Sequence, residues 1–348
     1  MATNDFMLQL HKQLLEKTYG AENHKLSETT AAAYIKTLYM LNDKKPFKTL
    51  SFLKGKEAIE KHLSGYAEST RKTLYATVSS VLSLFKDKPA YKAIYKHYYD
   101  KMMSASKVSG GADTAVKSEA QKENWLTWDE VQKVKAELLD KVMKFVDNKT
   151  LSVEEYKTLL DLVVLSLYTD VAPRRNQDYL DMVVYKALKK DKVEELPKDK
   201  NYVIIADKKP KQFIFNIYKT SKKYGTQTTV LPTSLAFIIN TYLKFHPLAK
   251  TKAKEVQFLV SAAGLPLSQA NAITRILNGV FHKNIGSSML RHIYLSSKMD
   301  ITDMKADAAA MGHSLTEQQK YLKSDSPAPS ENPVALPLPT VPLPASHC

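Results

Sequence analysis

The chain has one cysteine, Cys348, at its last position, so neither an internal disulfide nor a cysteine-based metal site can form. That suits a reducing compartment, the cytosol or nucleus. Apolar stretches of membrane-spanning length are missing too. The best run, LLDLVVLSLY, is short and broken by Asp161, and it reads as a buried helix. The opening residues MATNDFMLQLHKQ do not have the pattern of a secretory leader. Arginine is scarce: of 51 Lys+Arg residues, five are arginine, namely Arg71, Arg174, Arg175, Arg275 and Arg291. Lysine is the default cation here and offers a point charge, whereas arginine offers a planar fork that can grip two oxygens of one phosphate. The few arginines therefore mark positions where geometry is required. What the sequence does have is positive charge. A formal net charge of +15 points to a polyanionic partner, with nucleic acid first and a membrane surface as the disfavoured rival.

At 348 residues with 44% hydrophobic content, the chain can build two cores. Residues 1–103 read as a helical domain. SETTAAAYIKTLYML starts from a Ser27 cap. ESTRKTLYATVSSVLSLF repeats the device with Ser69 or Thr70 as cap, and Leu74, Val78, Val81, Leu82 and Phe85 form a core-facing stripe at helical spacing. The opposite face, with Arg71, Lys72, Thr73 and Thr77, is either solvated or phosphate-binding. Residues 104–124 are small, polar and carry a Gly-Gly pair, and they read as a linker. A second domain, 125–324, opens on a helix capped by Thr127. Its strand region is NYVIIADKKPKQFIFNIYKTSKKYGTQTTVLP, and helical patterning resumes at SLAFIINTYLKFHP and continues to Tyr321. Residues 325–348 hold seven of the 15 prolines and read as an extended or disordered tail. The expected fold class is mainly α with a small β-sheet (α+β).

Two arginine sites, APRRNQDYLDM and SSMLRHIYLSS, are followed by MGHSLTEQQKYL, with His313 and Tyr321. A tyrosine that cuts a phosphodiester attacks phosphorus, and negative charge builds on the nonbridging oxygens. Rigid cationic donors stabilise that charge, and the leaving oxygen needs a proton from a lysine or histidine. A covalent phosphotyrosine preserves the bond energy, so resealing needs no ATP. Taken singly, an Arg-Arg pair is usually a solvated patch and a Gly-His pair a turn, and tyrosines are common in a chain with 19 of them. Order and spacing carry the reading.

On these residues the stretch from about 125 to 322 resembles the catalytic domain of the tyrosine recombinases, the phage-integrase family. That family's first box has an acidic residue three positions after its arginine, matched by Arg175 and Asp178, whereas Arg174 would place Gln177 there. Its second box, His-x-Leu-Arg-His, is matched by Ser288-Met289-Leu290-Arg291-His292. Its third, Leu-Gly-His, is matched by Met311-Gly312-His313, and Tyr321 follows eight residues later, one short of the usual spacing. The family's hairpin lysine is matched by Lys219-Thr220, with Lys222 and Lys223 as competitors. The resemblance implies that Arg175 and Arg291 grip the scissile phosphate, Lys219 is general acid, His313 bonds the phosphate and Tyr321 is the nucleophile. It makes His292, Asp178 and Arg174 supporting residues. Ser288 stands where the family has a histidine, and a serine cannot titrate near neutral pH; His282 lies a few residues upstream. Arg71, Lys72, Lys222, Lys223 and Arg275 are candidate DNA contacts.

The implied activity is site-specific recombination or integration without metal, ATP or other cofactor. The partner is double-stranded DNA, bound by a dimer per site and a homo-tetramer overall, without a membrane, inside a host cell and encoded by a virus or mobile element. The helical N-terminal region resembles the family's core-binding domain. The alternatives are type IB topoisomerase-like relaxation and a catalytically impaired DNA-binding protein of the same fold.

Overall fold

The computed structural model describes residues 4–19, 24–111, 116–187, 192–249, 251, 253–269, 271–297, 301–314, 317–318 and 321–323. The chain divides into two compact units, Met1–Asp113 and Thr114–Cys348. It is mainly helical with one five-stranded sheet, the α+β class expected from the sequence.

The first unit contains α1 (Asp5–Glu16), a two-residue antiparallel pair β1 (Thr18–Tyr19) and β2 (His24–Lys25), then α2 (Glu28–Leu41), α3 (Lys56–Leu63), α4 (Glu68–Leu82) and α5 (Pro89–Gly111). Ser27 caps α2 as expected, accepting from the Thr30 amide at 3.2 Å. In α4, Leu74, Val78, Val81 and Leu82 are buried and Phe85 packs at the margin of the same core. Two details differ from the sequence reading. The residue before α4 is Ala67, without a side-chain cap, because Ser69 and Thr70 already lie in the first turn; there the Ser69 carbonyl accepts from Thr73. Thr77 is buried and spends its hydroxyl on the Thr73 carbonyl, so it does not belong to the open face. Arg71 on that face pairs with Glu68 at 3.5 Å.

The expected linker is helical at both ends. Residues 104–111 continue α5, and Ser118 opens α6 (Glu119–Asn124) with a reciprocal capping box to Gln121. The gain is local: the cap satisfies amides that a linker would leave to water.

The second unit continues with α7 (Trp128–Met143), α8 (Val153–Thr169), α9 (Asn176–Leu180), β3 (Val183–Lys186), β4 (Tyr202–Ala206), β5 (Lys209–Phe215), α10 (Ser221–Tyr224), β6 (Gln227–Val230), α11 (Thr233–Phe245), β7 (Glu255–Gln257), α12 (Ala272–Phe281), α13 (Ser287–Ser296) and α14 (Ile301–Met311). Capping boxes Thr127/Glu130 and Ser152/Glu155 start α7 and α8. The run around Asp161 is the buried helix α8, with Asp161 paired to Lys157 one turn before it.

The sheet order is β6-β5-β4-β3-β7, antiparallel except for the β3–β4 pair. The β4–β5 hairpin turns on Asp207-Lys208, both at positive φ, as a two-residue hairpin loop requires. β3 and β7 fall outside the expected strand region. At four and three residues they are too short to show an alternation, and their neighbours in the sheet order them. One sheet face (Val184, Val203, Phe213, Phe215) joins the core of α7, α8, α11, α12 and α13, and the other holds a small cluster of Tyr185, Tyr202, Ile204 and Ile214. Residues 325–348 lie outside the described residues.

Candidate active site

α8 ends at Thr169 with Asp170 as its C-cap, and the chain passes Pro173 into Arg174 and Arg175 before α9. The two arginines divide the work. Arg174 is 2% exposed, with its Nε donating to Asp178 Oδ2 at 2.9 Å. Its guanidinium carbon sits 3.9 Å from the centre of the Phe215 ring and 4.7 Å from that of Tyr218. Asp178, three residues after Arg175, thus serves Arg174. Burial raises the Asp178 pKa and the Arg174 charge opposes that rise. Arg175 is half-buried, and its Nη1 finds no hydrogen-bond partner among the described residues.

Arg291, on α13, is 5% exposed. Its Nε donates to the Pro173 carbonyl at 3.0 Å, which locks this arm to the arginine loop, while its Nη2 is buried without a partner among the described residues. Burial lowers its pKa; the nearby Tyr321 opposes the shift and the Arg175 charge adds to it. Among the described residues neither Arg175 nor Arg291 has a carboxylate partner.

His313 follows Gly312, which stops α14 at φ +69. The His313 amide returns to the Ala308 carbonyl at 3.0 Å and the Gly312 amide to that of Ala309 at 3.1 Å, a glycine-terminated helix end. The His313 ring is 5% exposed, and both its nitrogens are unpartnered among the described residues. It stacks on Tyr321, with centroids 5.5 Å apart and planes at 24°. His292 lies against the same tyrosine at 5.1 Å, and its Nδ1–H donates to the Tyr321 carbonyl at 2.8 Å. The Arg291 guanidinium carbon is 5.9 Å from the Tyr321 ring centre. Arg175, Arg291, His313 and Tyr321 therefore converge, with His292 holding the tyrosine's backbone and Asp178 holding Arg174.

Other expected site residues are placed differently. Lys219 is exposed in the turn between β5 and α10, without a hydrogen bond or ion pair among the described residues; its neighbours Tyr218 and Thr220 pack on Gly312. Lys222 and Lys223 are exposed on α10, a short helix where a plain hairpin was expected. Ser288 is exposed on the first turn of α13, and His282 is the exposed left-handed residue ending α12; among the described residues no hydrogen bond or ring contact ties either to Tyr321. Arg275 is exposed and bonds Gln269. Sequence reasoning missed Gln227, Tyr218 and Gln318. The last is fully buried one turn before Tyr321, its carbonyl accepting the Tyr321 amide at 2.9 Å. Nothing in a single sequence separates these from ordinary polar residues.

Gly312 has two reasons to be glycine. Its φ is left-handed, and an added Cβ would stand 2.9 Å from Tyr218 Cε2 and 3.2 Å from Thr220 Oγ1. Gly312→Ala is expected to destabilise the second unit by on the order of 2 kcal/mol and to displace His313. Urea unfolding checks it, and wild-type stability would show that the turn relaxes freely.

Burial, then the charges of Arg291 and Arg175 and, more weakly, Arg174, hold the His313 pKa at about 4, with Glu317 opposing them. The unfolded chain takes up this proton near pH 6.5 and the folded chain only near 4, so between these values the unfolded state holds more protons. Stability is intact above pH 6.5 and falls as pH falls through this window, by roughly 3 kcal/mol for this group alone. His313→Gln is expected to flatten that loss in a Tm series from pH 7 to 4. Parallel curves for the two proteins would put the acid sensitivity elsewhere.

No family model, curated protein or solved structure matches the chain.

Proposed function

We propose that the chain is a tyrosine-dependent site-specific DNA recombinase or integrase, cutting and rejoining double-stranded DNA through a covalent 3′-phosphotyrosine. One observation carries the reading: buried Arg175 Nη1, Arg291 Nη2 and both His313 nitrogens have no partner among the described residues, and they belong to side chains gathered about the Tyr321 ring. Unpaired buried donors and unbalanced cations are costly. A phosphate diester supplies what is missing: a negative charge and two nonbridging oxygens.

In this reading the Tyr321 hydroxyl gives its proton to water as its oxygen forms the bond to phosphorus, and the bond to the 5′-oxygen breaks. Arg175, Arg291 and His313 donate to the nonbridging oxygens, where charge grows in the transition state. Arg291 suits this role, with its Nε anchored on Pro173 and its Nη2 without a hydrogen-bond partner among the described residues. Lys219 protonates the leaving oxygen, from a turn whose two flanking residues already touch Gly312. Rejoining reverses the step without ATP. Two protomers per DNA site and four in the exchanging complex, inside a host cell, complete the proposal. Among the described residues no helix is long and apolar enough to cross a membrane.

The test is a nicked suicide substrate, drawn from DNA flanking the gene or from a selected random library. A covalent complex that survives denaturation is the expected result. DNA binding without an adduct on any duplex would make the chain a binding protein. Relaxation of supercoils without exchange between duplexes would make it a topoisomerase.

A further inference from the structure

The carbonyls at the C-terminal end of a helix have no partners within the helix. At the end of α14, besides the His313 and Gly312 amides that return to Ala308 and Ala309, side chains from far along the chain hold them. Thr220 Oγ1 donates to the Gly312 carbonyl at 2.5 Å, Arg174 Nη1 to that of Ala310 at 2.5 Å, and Gln227 Nε2 to that of Ala309 at 2.6 Å. The holders are themselves linked, since Arg174 Nη1 also donates to Gln227 Oε1 at 2.7 Å and its Nε to Asp178. Thr220 and Gln227 bracket the β5–β6 connection, and Lys219 is the neighbour of Thr220. On the other side of the Thr220 bond, His313 is the neighbour of Gly312. The His313 ring has no hydrogen bond of its own among the described residues, so apart from its stacking on Tyr321 its position is inherited from the backbone beneath it.

We infer that Thr220, Gln227 and Arg174 form a positioning clamp on the end of α14 that sets His313 and registers it against the turn carrying Lys219. The two groups assigned to opposite sides of the reaction, the donor to the nonbridging oxygens and the acid to the leaving oxygen, are then spaced by one threonine–glycine hydrogen bond. In this inference all three act as positioning residues, although Arg174 Nη2 is, like Arg175 Nη1 and Arg291 Nη2, buried without a partner among the described residues. This rests on the recombinase reading for its consequence, though not for its geometry.

The clamp explains two features that neither packing nor charge requires. Gln227 stands on the outermost strand of the sheet, where a polar side chain usually faces water, yet both ends of its amide are used. Arg174 is buried with its charge paired to one carboxylate and its Nη1 shared between Gln227 and a helix carbonyl. A partner less demanding than arginine would serve packing alone.

Near-isosteric changes test it. Thr220→Val removes one hydroxyl, Thr220→Ser restores it, and Gln227→Glu keeps the acceptor for Arg174 while removing the donor to Ala309. Single-turnover cleavage of the nicked substrate at saturating DNA is expected to fall roughly 10- to 100-fold for the Val and Glu variants, with DNA affinity within about twofold and with Thr220→Ser near wild type. The His313 imidazole titration, followed by NMR in DNA-free protein, is expected to move up toward the ordinary histidine value as the ring loosens. Unchanged cleavage with an unchanged His313 titration in both variants overturns the clamp. If the wild-type protein cleaves no substrate, the recombinase reading fails, and the titration alone still decides the clamp: a shift in both variants supports it, no shift removes it.

Discussion

Tyr321→Phe is expected to abolish covalent attachment to DNA while leaving DNA affinity within about twofold. The change removes one oxygen and nothing that positions it. The ring would still stack on His313 and lie against His292, and the backbone bonds to His292 and Gln318 do not involve the hydroxyl. Phenylalanine has no nucleophile, so the expected loss is complete rather than graded. Tyr294 is poorly suited to replace it, being buried with its hydroxyl donating to Asp307. An adduct formed by the Phe variant would assign the chemistry to another residue.

Arg291→Lys and Arg175→Lys are each expected to cost about 2–4 kcal/mol of transition-state stabilisation, or roughly 30- to 1,000-fold in cleavage rate. Charge is retained, so the loss reports the fork. Arg291 uses Nε to fix itself to Pro173 and leaves Nη2 for the phosphate; a lysine has one nitrogen and cannot do both. Folding stability should change little at Arg175 and fall modestly at Arg291, where the Pro173 carbonyl loses its donor, because both lysines keep the charge and its repulsion from the other site. Arg174→Lys should behave in the opposite way. It would lose bonds to Asp178, Gln227 and Ala310 and the stacking on Phe215, at a cost to stability on the order of 3 kcal/mol. Thermal melts beside single-turnover rates separate the two kinds of arginine. A stable Arg174→Lys protein that has lost cleavage, next to a nearly normal Arg175→Lys protein, would exchange their roles.

How far the sequence carried this reading differs between elements. Helices with side-chain caps, such as those behind Ser27 and Thr127, were legible because the capping chemistry lies within four residues. The start of α4 was misplaced because Ala67 leaves no such mark, and β3 and β7 were missed because strands of four and three residues are specified by their partners. The residues that converge on Tyr321 could be picked out because rare arginines, a Gly-His pair and a tyrosine recur in order. Which of two adjacent arginines is buried could not be, since that depends on contacts with residues 53 and 136 positions away. The clamp residues are invisible for the same reason: a threonine and a glutamine acquire a role only through the carbonyls they meet.

The most direct test of the central claim is to trap the protein on a nicked substrate, digest it with protease and nuclease, and identify the modified peptide by mass spectrometry. The expected product is a peptide carrying Tyr321 joined through its phenolic oxygen to a 3′-phosphate. Attachment through a 5′-phosphate, or at any residue other than Tyr321, would contradict the account.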